Sequence, residues 1–152
     1  MRTTRSVSPD ALAGARGSLY AFRMRQQSIE VPGLSHGGTP IPAACRVGPI
    51  LATSGVGGKD PATDMLPADA TTQARNCFEN LRRVLEAGGL SMGDVVKLTV
   101  FIADESHRAA VNEPWLRYYP DPHHRPARHA LVMPLRAGML VQLEALAVAK
   151  NL

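Results

Sequence analysis

A cationic side chain at the start of a predicted strand is the first candidate for chemistry in this sequence. Arg128 follows Pro126 closely and precedes an apolar run, residues 130–133, which is typical of a β-strand. Pro126 fixes its own φ angle and disfavours helical backbone at the residue before it, so Arg128 extends from a stiff frame. A guanidinium presents N–H donors in a planar fork that suits a carboxylate held by parallel hydrogen bonds. The alternative is a surface arginine paired with a nearby acid.

An amide and a carboxylate on the last predicted strand form the second candidate group. Gln142 and Glu144 share one face of residues 139–149, and apolar side chains occupy the other face. If the two C-terminal strands pair, Glu144 comes within reach of Arg128. Glu144 is then either a catalytic carboxylate or the buried ionic partner of that arginine.

Other kinds of chemistry find less support. His123, His124 and His129 lie close in sequence, but no carboxylate or cysteine stands at the usual ligand spacing. We therefore predict no metal site. Ser54 lacks the Gly-x-Ser-x-Gly context of a nucleophilic serine. The glycine-rich loop 55–63 is not followed directly by a helix, as a phosphate-binding loop requires.

The composition excludes several classes of partner. Lysine and arginine number 17 against 13 acidic residues, which gives a net charge of +4. Residues 1–25 contain five arginines and one aspartate, so they account for this excess and the rest of the chain is neutral. Aromatic residues that could stack on bases are few, and we expect no nucleic-acid partner. No apolar run approaches the ~20 residues of a membrane span, and the two cysteines lie far apart, so we expect a reducing, cytoplasmic location.

Residues 1–27 differ in character from the rest and are expected to lie outside the fold. They are rich in serine, alanine, glycine and arginine and show no sustained apolar period. Three interpretations remain: a disordered extension, an arginine-rich targeting peptide, or upstream sequence from a misplaced start before Met24. The lack of an apolar segment favours an appended or mis-started tail over targeting.

Apolar periodicity predicts one α+β domain over residues 28–152. Strands are predicted at residues 28–31, 44–46, 50–54, 94–102, 128–133 and 139–149. A helix begins after the cap residue Asp69 and ends at Gly88. A second helical stretch is expected to kink or restart at Pro114, with Asn112 available as a cap.

The order of these elements predicts a sheet covered by helices on one side. The other side carries the apolar residues Leu140, Leu146 and Val148 beside Gln142 and Glu144. A face of this mixed kind is more typical of an interface than of bare solvent. We therefore expect the chain to self-associate.

Five short motifs lie along the domain: Thr53-Ser54-Gly55, Asp94-Val95-Val96-Lys97, Val111-Asn112-Glu113, Arg125-Pro126-Ala127-Arg128 and Leu143-Glu144-Ala145-Leu146-Ala147. Together they resemble the Rid (YjgF) family of reactive-intermediate deaminases. The resemblance runs from about Ile29 to Ala149, and the tail lies outside it.

The resemblance implies a chorismate-mutase-like α+β fold assembled as a homotrimer, with ligand clefts between neighbouring subunits. It implies hydrolysis of enamines or imines, such as 2-aminoacrylate, to a ketone and ammonia without a cofactor. By position, Arg128 is expected to grip the substrate carboxylate. Ser54 and Gly55 are expected in the cleft wall, Asn112 near it, and Gln142 with Glu144 to arrange the attacking water.

The departures from the family pattern leave a second function open. Ile41 stands where active deaminases usually carry a tyrosine, Ala130 replaces a frequent cysteine, and Gln142 replaces a glutamate thought to position or activate the water. An amide can hold a water molecule but cannot take its proton. The alternative is therefore a non-catalytic, ligand-binding trimer that recognises small carboxylates. A ribonuclease is disfavoured because the domain is neutral and lacks a paired acid and base.

Overall fold

The computed structural model describes residues 25–150, so most of the predicted extension lies outside the described part of the chain. The first described strand begins at Gln27, one residue before the strand predicted at residues 28–31. The strands are β1 (Gln27–Ile29), β2 (Ala44–Val47), β3 (Ile50–Thr53), β4 (Val56–Gly57), β5 (Val95–Ile102), β6 (Ala127–Val132) and β7 (Val141–Val148). The helices are α1 (Ala70–Ala87) and α2 (Arg108–Tyr118), each flanked by a single 3-10 turn, Met92–Asp94 and Glu105–His107 respectively.

All seven strands form one mixed sheet in the order β1-β2-β3-β7-β5-β6, and β4 also pairs with β7. Strands β5 and β6 run parallel, and every other pair is antiparallel. The predicted α+β class is confirmed. The assumption that the two C-terminal strands pair is wrong, because β5 lies between β6 and β7.

Helix α1 follows its sequence pattern closely. The Asp69 side chain accepts a hydrogen bond from the Thr72 backbone N–H at 2.8 Å, as expected of a helix cap. The apolar stripe is fully buried and comprises Ala74, Cys77, Phe78, Leu81, Val84 and Leu85. Burial raises the pKa of the Cys77 thiol, so this cysteine is a core residue and not a nucleophile. The helix ends at Gly88, where a Cβ atom would collide with Leu51.

Helix α2 differs from its prediction at Pro114. The helix continues through this proline and does not restart there, and Asn112 lies inside it and does not cap it. Tertiary packing explains the continuity, because Pro114 and Trp115 are buried and the Tyr119 ring packs at a tilt against Trp115, with ring centroids 4.8 Å apart. Both helices cover the same side of the sheet, as predicted.

The opposite side of the sheet is open in the single chain. On β7, Val141, Leu143, Ala145 and Ala147 are buried beneath the helices, and the alternating residues point the other way. The large apolar side chains exposed on or beside this open face include Ile50, Leu146 and Val148. Strand β5 is central, but only its helix-facing side is buried. No helix in the described part of the chain is long and apolar enough to span a membrane.

Candidate functional site

The first group of predicted site residues lies where β6 meets α2, and we call Arg128, Asn112 and Trp115 the arginine edge. Arg128 Nη2 donates a hydrogen bond to Asn112 Oδ1 at 3.0 Å. Its guanidinium carbon lies 4.7 Å from the centre of the Trp115 ring, in cation–π geometry. Because Asn112 lies on the helix that covers the sheet, the arginine side chain is directed to the helix side and not to the open face.

Arg128 has no carboxylate partner among residues 25–150. Partial burial lowers the pKa of Arg128, and the positive charge of Arg108 lowers it further. Arg108 itself pairs with Glu105. An arginine of this kind remains charged, and its electrostatic surroundings favour an added anion. The interpretation as a paired surface arginine is therefore wrong for the described chain.

The second group lies at a cavity of about 380 Å³, which we call the amide cavity. This volume is within the range of small-ligand sites. Its walls come from two glycine-containing loops, from the turn before β7 and from the side chain of Gln142 at the start of β7. The lining residues used below are His36, Gly55, Gly58, Lys59, Ala137 and Gln142.

Two amide side chains of α1 hold the floor of the amide cavity. Asn80 Nδ2 donates to the carbonyl oxygens of Gly57 and Lys59 at 2.9 and 2.8 Å, and Asn76 Nδ2 donates to that of Gly58 at 3.0 Å. A Cβ atom on Gly58 would lie 2.4 Å from a backbone oxygen of α1, so only glycine allows this approach. The floor is therefore rigidly fixed to the helix.

Gln73 connects α1 to both segments that enclose the amide cavity from that side. Its Nε2 donates to the carbonyl oxygens of Pro67 and Gly138 at 2.7 and 3.1 Å. Its Oε1 accepts from the Leu140 N–H at 2.7 Å. Ala137 in the adjoining turn has φ +56°, a left-handed backbone that non-glycine residues adopt at some expense. The buried Gln73 amide stabilises this turn.

Gly55, which was predicted to line the cleft wall, lies against Gln142, the amide that was predicted to arrange the water. A Cβ atom at Gly55 would lie 2.5 Å from Gln142 Nε2, so the glycine is what lets this amide lie against the loop. Ser54 precedes it, but its hydroxyl donates to the Pro42 carbonyl oxygen at 2.7 Å and does not line the cavity. Ser54 thus positions the loop, and Gly55 forms the wall.

Glu144 belongs to neither group. It is exposed on the open face of β7, opposite Thr99 of β5. Arg128 aligns across the sheet with Leu98 and Ala145, both of which face the helices. Because β5 intervenes, two strand spacings, about 10 Å, separate β6 from β7. Glu144 and Arg128 of one chain therefore cannot form the buried pair that strand pairing would have allowed.

The structure thus divides the predicted site into two parts. Ser54, Gly55 and Gln142 come together at one end of β7, and Arg128 comes together with Asn112 at the far edge of the sheet. Gln142 points to the open face and Arg128 to the helix side. The two parts do not meet within one chain. No cluster of three or more potential metal ligands occurs within residues 25–150.

Comparison with known proteins identifies the family. Residues 40–149 match the family described as endoribonuclease L-PSP. A RutC family protein of Haemophilus influenzae is 38% identical over 114 residues, covering 73% of this chain and 88% of that protein. The 2-iminobutanoate/2-iminopropanoate deaminase of Escherichia coli K12 is 35% identical over 106 residues, covering 68% of this chain and 83% of that enzyme. The chain belongs to the Rid/YjgF family.

Solved structures agree with this assignment. The crystal structure of Escherichia coli TdcF with bound serine superposes on this Rid-family chain with a TM-score of 0.74 at 31% identity, covering 82% of this chain and 99% of TdcF. The predicted family and its α+β fold, a mixed sheet with two helices, are thereby confirmed.

Sequence reasoning missed several residues that shape the site of this Rid-family chain. His36 lines the amide cavity, and its Nε2 lies 3.1 Å from the Gly55 carbonyl oxygen. Nothing in its loop, residues 35–43, singled it out. The amides of α1 did leave a signal, because Gln73, Asn76 and Asn80 recur at spacings that place them on one helix face. Amides beside an apolar stripe indicate that a backbone segment packs there.

Proposed function

We propose that the chain is a cofactor-independent hydrolytic deaminase of small enamine or imine carboxylic acids that releases ammonia. The observation that carries the proposal is Arg128, a cation without a carboxylate partner among residues 25–150, oriented by Asn112 and Trp115. The matched Escherichia coli relative is named 2-iminobutanoate/2-iminopropanoate deaminase, and TdcF binds serine, another small carboxylic acid.

Arg128 is proposed to hold the substrate carboxylate. A planar guanidinium accepts a carboxylate through two parallel charge-assisted hydrogen bonds, which fixes the orientation as well as the position of the acid. Asn112 accepts a hydrogen bond from one N–H of Nη2, and the other N–H groups of the guanidinium are left for the ligand. Holding the acid in this way fixes the C=N carbon relative to the attacking water.

We propose further that the complete cleft forms between copies of the chain, in a homotrimer. Arg128 and Asn112 of one copy would face Gly55 and Gln142 of the next, because the two parts lie on different sides of the sheet in one chain. The open face supports this arrangement, since Ile50, Leu146 and Val148 are exposed there and gain by burial. Glu144 lies on the same face and would then be close to the interface.

Chemistry in such a cleft is addition of water to the C=N carbon. Gln142 can orient the water through its amide oxygen, because that oxygen accepts no hydrogen bond within residues 25–150. The amide nitrogen Nε2 makes one weak contact, to Met139 Sδ at 4.0 Å. Addition gives a carbinolamine, and loss of ammonia gives the ketone.

The test is ketoacid release from freshly generated 2-iminopropanoate, with wild type compared with Arg128→Ala. We expect wild type to accelerate hydrolysis above the buffer rate and Arg128→Ala to lose at least about 100-fold in kcat/KM, the value of two charge-assisted bonds. Equal rates for buffer, wild type and variant would contradict the deaminase proposal.

The second candidate function is a ligand-binding trimer without turnover, and Gln142 favours it because an amide cannot act as a general base. In that case pyruvate binds with an affinity that Arg128→Ala abolishes, although no imine is hydrolysed. Calorimetry with pyruvate, combined with the hydrolysis assay, distinguishes this function from the first.

A further inference from the structure

Several polar groups in the wall of the amide cavity are already engaged within the chain. The carbonyl oxygens of Gly57, Gly58 and Lys59 accept hydrogen bonds from amides of α1 at 2.8–3.0 Å. The Gly55 carbonyl oxygen lies 3.1 Å from His36 Nε2, which donates to it because a carbonyl oxygen only accepts. The other ring nitrogen of His36 is buried, so it offers nothing to a ligand in the cavity. These groups are satisfied by the protein and do not require a polar ligand.

The charge in the described lining of the cavity is also neutralised. It belongs to Lys59, whose Nζ lies 2.6 Å from Asp64 Oδ1, and both of these side chains are exposed. Ser35 contributes a hydroxyl group at an exposed position of the lining. A charged group of a ligand would have to displace Asp64 from its partner or lose its own hydration without a new partner, and both cost free energy. The cavity therefore disfavours a charged substituent.

Much of the remaining wall is apolar, and it encloses more space than a methyl group needs. The apolar wall comprises Leu34, Val56, Leu66, Val84 and Met139. Two of these residues, Val56 and Val84, belong to the buried core, so the wall continues the core outward. The volume of the cavity is about 380 Å³. At ~30 Å³ for each water molecule of the liquid, this is room for about ten molecules, whereas a methyl group takes the space of about one.

We propose that the substrate of this chain is a 2-imino acid with an apolar side chain larger than ethyl, and that the amide cavity takes up this side chain. This inference rests on the proposed deaminase function and names its substrate class. Arg128 of a neighbouring copy holds the carboxylate, Gln142 holds the water, and the apolar wall removes the substrate side chain from solvent. Burial of that side chain is favourable because the wall presents apolar surface and demands no hydrogen bonds.

Leu66 is the wall residue that can be enlarged with the least disturbance of the fold. It is half-buried, lies in the loop before α1 and is not one of the buried core residues. Its Cδ2 lies 3.7 Å from the place that a Cβ on Gly138 would occupy, so it faces the turn before β7. The neighbouring Met65 is 67% exposed and does not line the cavity. The same substitution at these two positions therefore separates a loss of cavity volume from a change in the loop.

The test compares three imines: 2-imino-4-methylpentanoate, which has an isobutyl side chain, 2-iminopropanoate, which has a methyl group, and the acidic 2-iminopentanedioate. We expect wild-type kcat/KM to be at least about 30-fold higher for the isobutyl imine than for the methyl imine, because its additional carbon atoms leave water. The acidic imine should react no better than the methyl imine. Leu66→Trp should reduce the preference for isobutyl by at least about 10-fold and leave hydrolysis of the methyl imine within about twofold of wild type. Met65→Trp should match wild type on all three.

The outcomes separate this inference from the proposed function. An active wild type that prefers the methyl or the acidic imine overturns the inference and leaves the deaminase intact. A preference for isobutyl that Leu66→Trp retains in full overturns the placement of the side chain in the cavity. A wild type inactive on all three imines contradicts the proposed function, and calorimetry then decides the inference without turnover. Binding of 4-methyl-2-oxopentanoate at least about 30-fold tighter than that of pyruvate supports it, and equal binding overturns it.

Discussion

The arginine edge and the amide cavity are built in opposite ways. Arg128 is an exposed cation held by one side-chain hydrogen bond and one aromatic ring, both from α2. The cavity is held by buried amides of α1 that bind backbone carbonyl oxygens, and by glycines that exclude any side chain. One region presents a charge, and the other maintains a shape.

This difference indicates how the two regions can be changed. A charge that is largely open to solvent contributes little to folding, so changes at the arginine edge should affect the ligand and leave stability intact. Buried amides with several partners are costly to remove, so changes at the cavity floor should affect stability first. The following experiments test this division, beginning with the largest expected effect.

Complementation between two inactive variants tests whether the two regions meet across copies. Arg128→Ala removes the anchor, and Gly55→Val fills the cavity, so each variant alone should lose at least about 100-fold in activity. If subunits exchange freely and each cleft takes one part from each of two copies, random mixing restores about a quarter of wild-type activity. The measurement is imine hydrolysis after mixed refolding. As a control, Arg128→Ala mixed with the double variant should stay inactive; a mixture of the single variants that also stays inactive contradicts the shared cleft.

The same substitution at two asparagines compares the regions directly. Asn80→Ala removes two buried hydrogen bonds and should lower the free energy of unfolding by about 2–4 kcal/mol. Asn112→Ala, at an exposed position, should change it by less than about 0.5 kcal/mol while weakening pyruvate binding. Urea unfolding and calorimetry measure the two effects. A stability loss at Asn112 equal to that at Asn80 would show that the arginine edge also supports the fold.

Two glycines of the cavity should respond differently to a methyl group. At Gly58 the added Cβ meets backbone of α1, so Gly58→Ala should destabilise the protein by about 1–3 kcal/mol. At Gly55 it meets the tip of the Gln142 side chain, which can rotate away. Gly55→Ala should therefore keep nearly wild-type stability yet reduce activity, because Gln142 is displaced. Thermal unfolding measures the stability of the two variants, and the hydrolysis assay measures their activity. If Gly55→Ala and Gly58→Ala are equally destabilised, the Gln142 side chain is not free to move.

A pH-dependent contact between the helices should give the smallest effect. Hydrogen bonds from Arg82 and Tyr118 lower the pKa of Glu79 to about 2, and the Tyr118 bond joins α1 to α2. A lowered pKa contributes stability above the unfolded value of about 4.5, and this contribution is lost as pH falls toward 2. Glu79→Gln should therefore be less stable than wild type by about 0.5–1 kcal/mol at pH 6, because the group is partly exposed, and equally stable near pH 2. A constant difference across this range would exclude the ionic contribution.

Much of the fold was predictable because it depends on local chemistry. The cap at Asp69, the apolar stripe of α1, the hairpin turn at Gly48 and the strand character of residues 95–102 are all properties of neighbouring residues. Helix α2 was not fully predictable, since burial of Trp115 and Pro114 in the tertiary fold outweighs the local disruption that proline causes. His36 was not predictable either, because the partner that defines its tautomer is 19 residues away in sequence.

By itself, the sequence determined which residues could act: an arginine presented by a proline-stiffened strand, an amide and a carboxylate on the last strand, and the α+β class that holds them. Only the tertiary structure decided which of these residues meet. Strand order is a long-range property, and β5 inserts between β6 and β7 because its apolar face completes the core beneath the helices. That insertion separates Arg128 from Glu144, whereas the pairing of β4 with β7 places Gln142 beside Gly55.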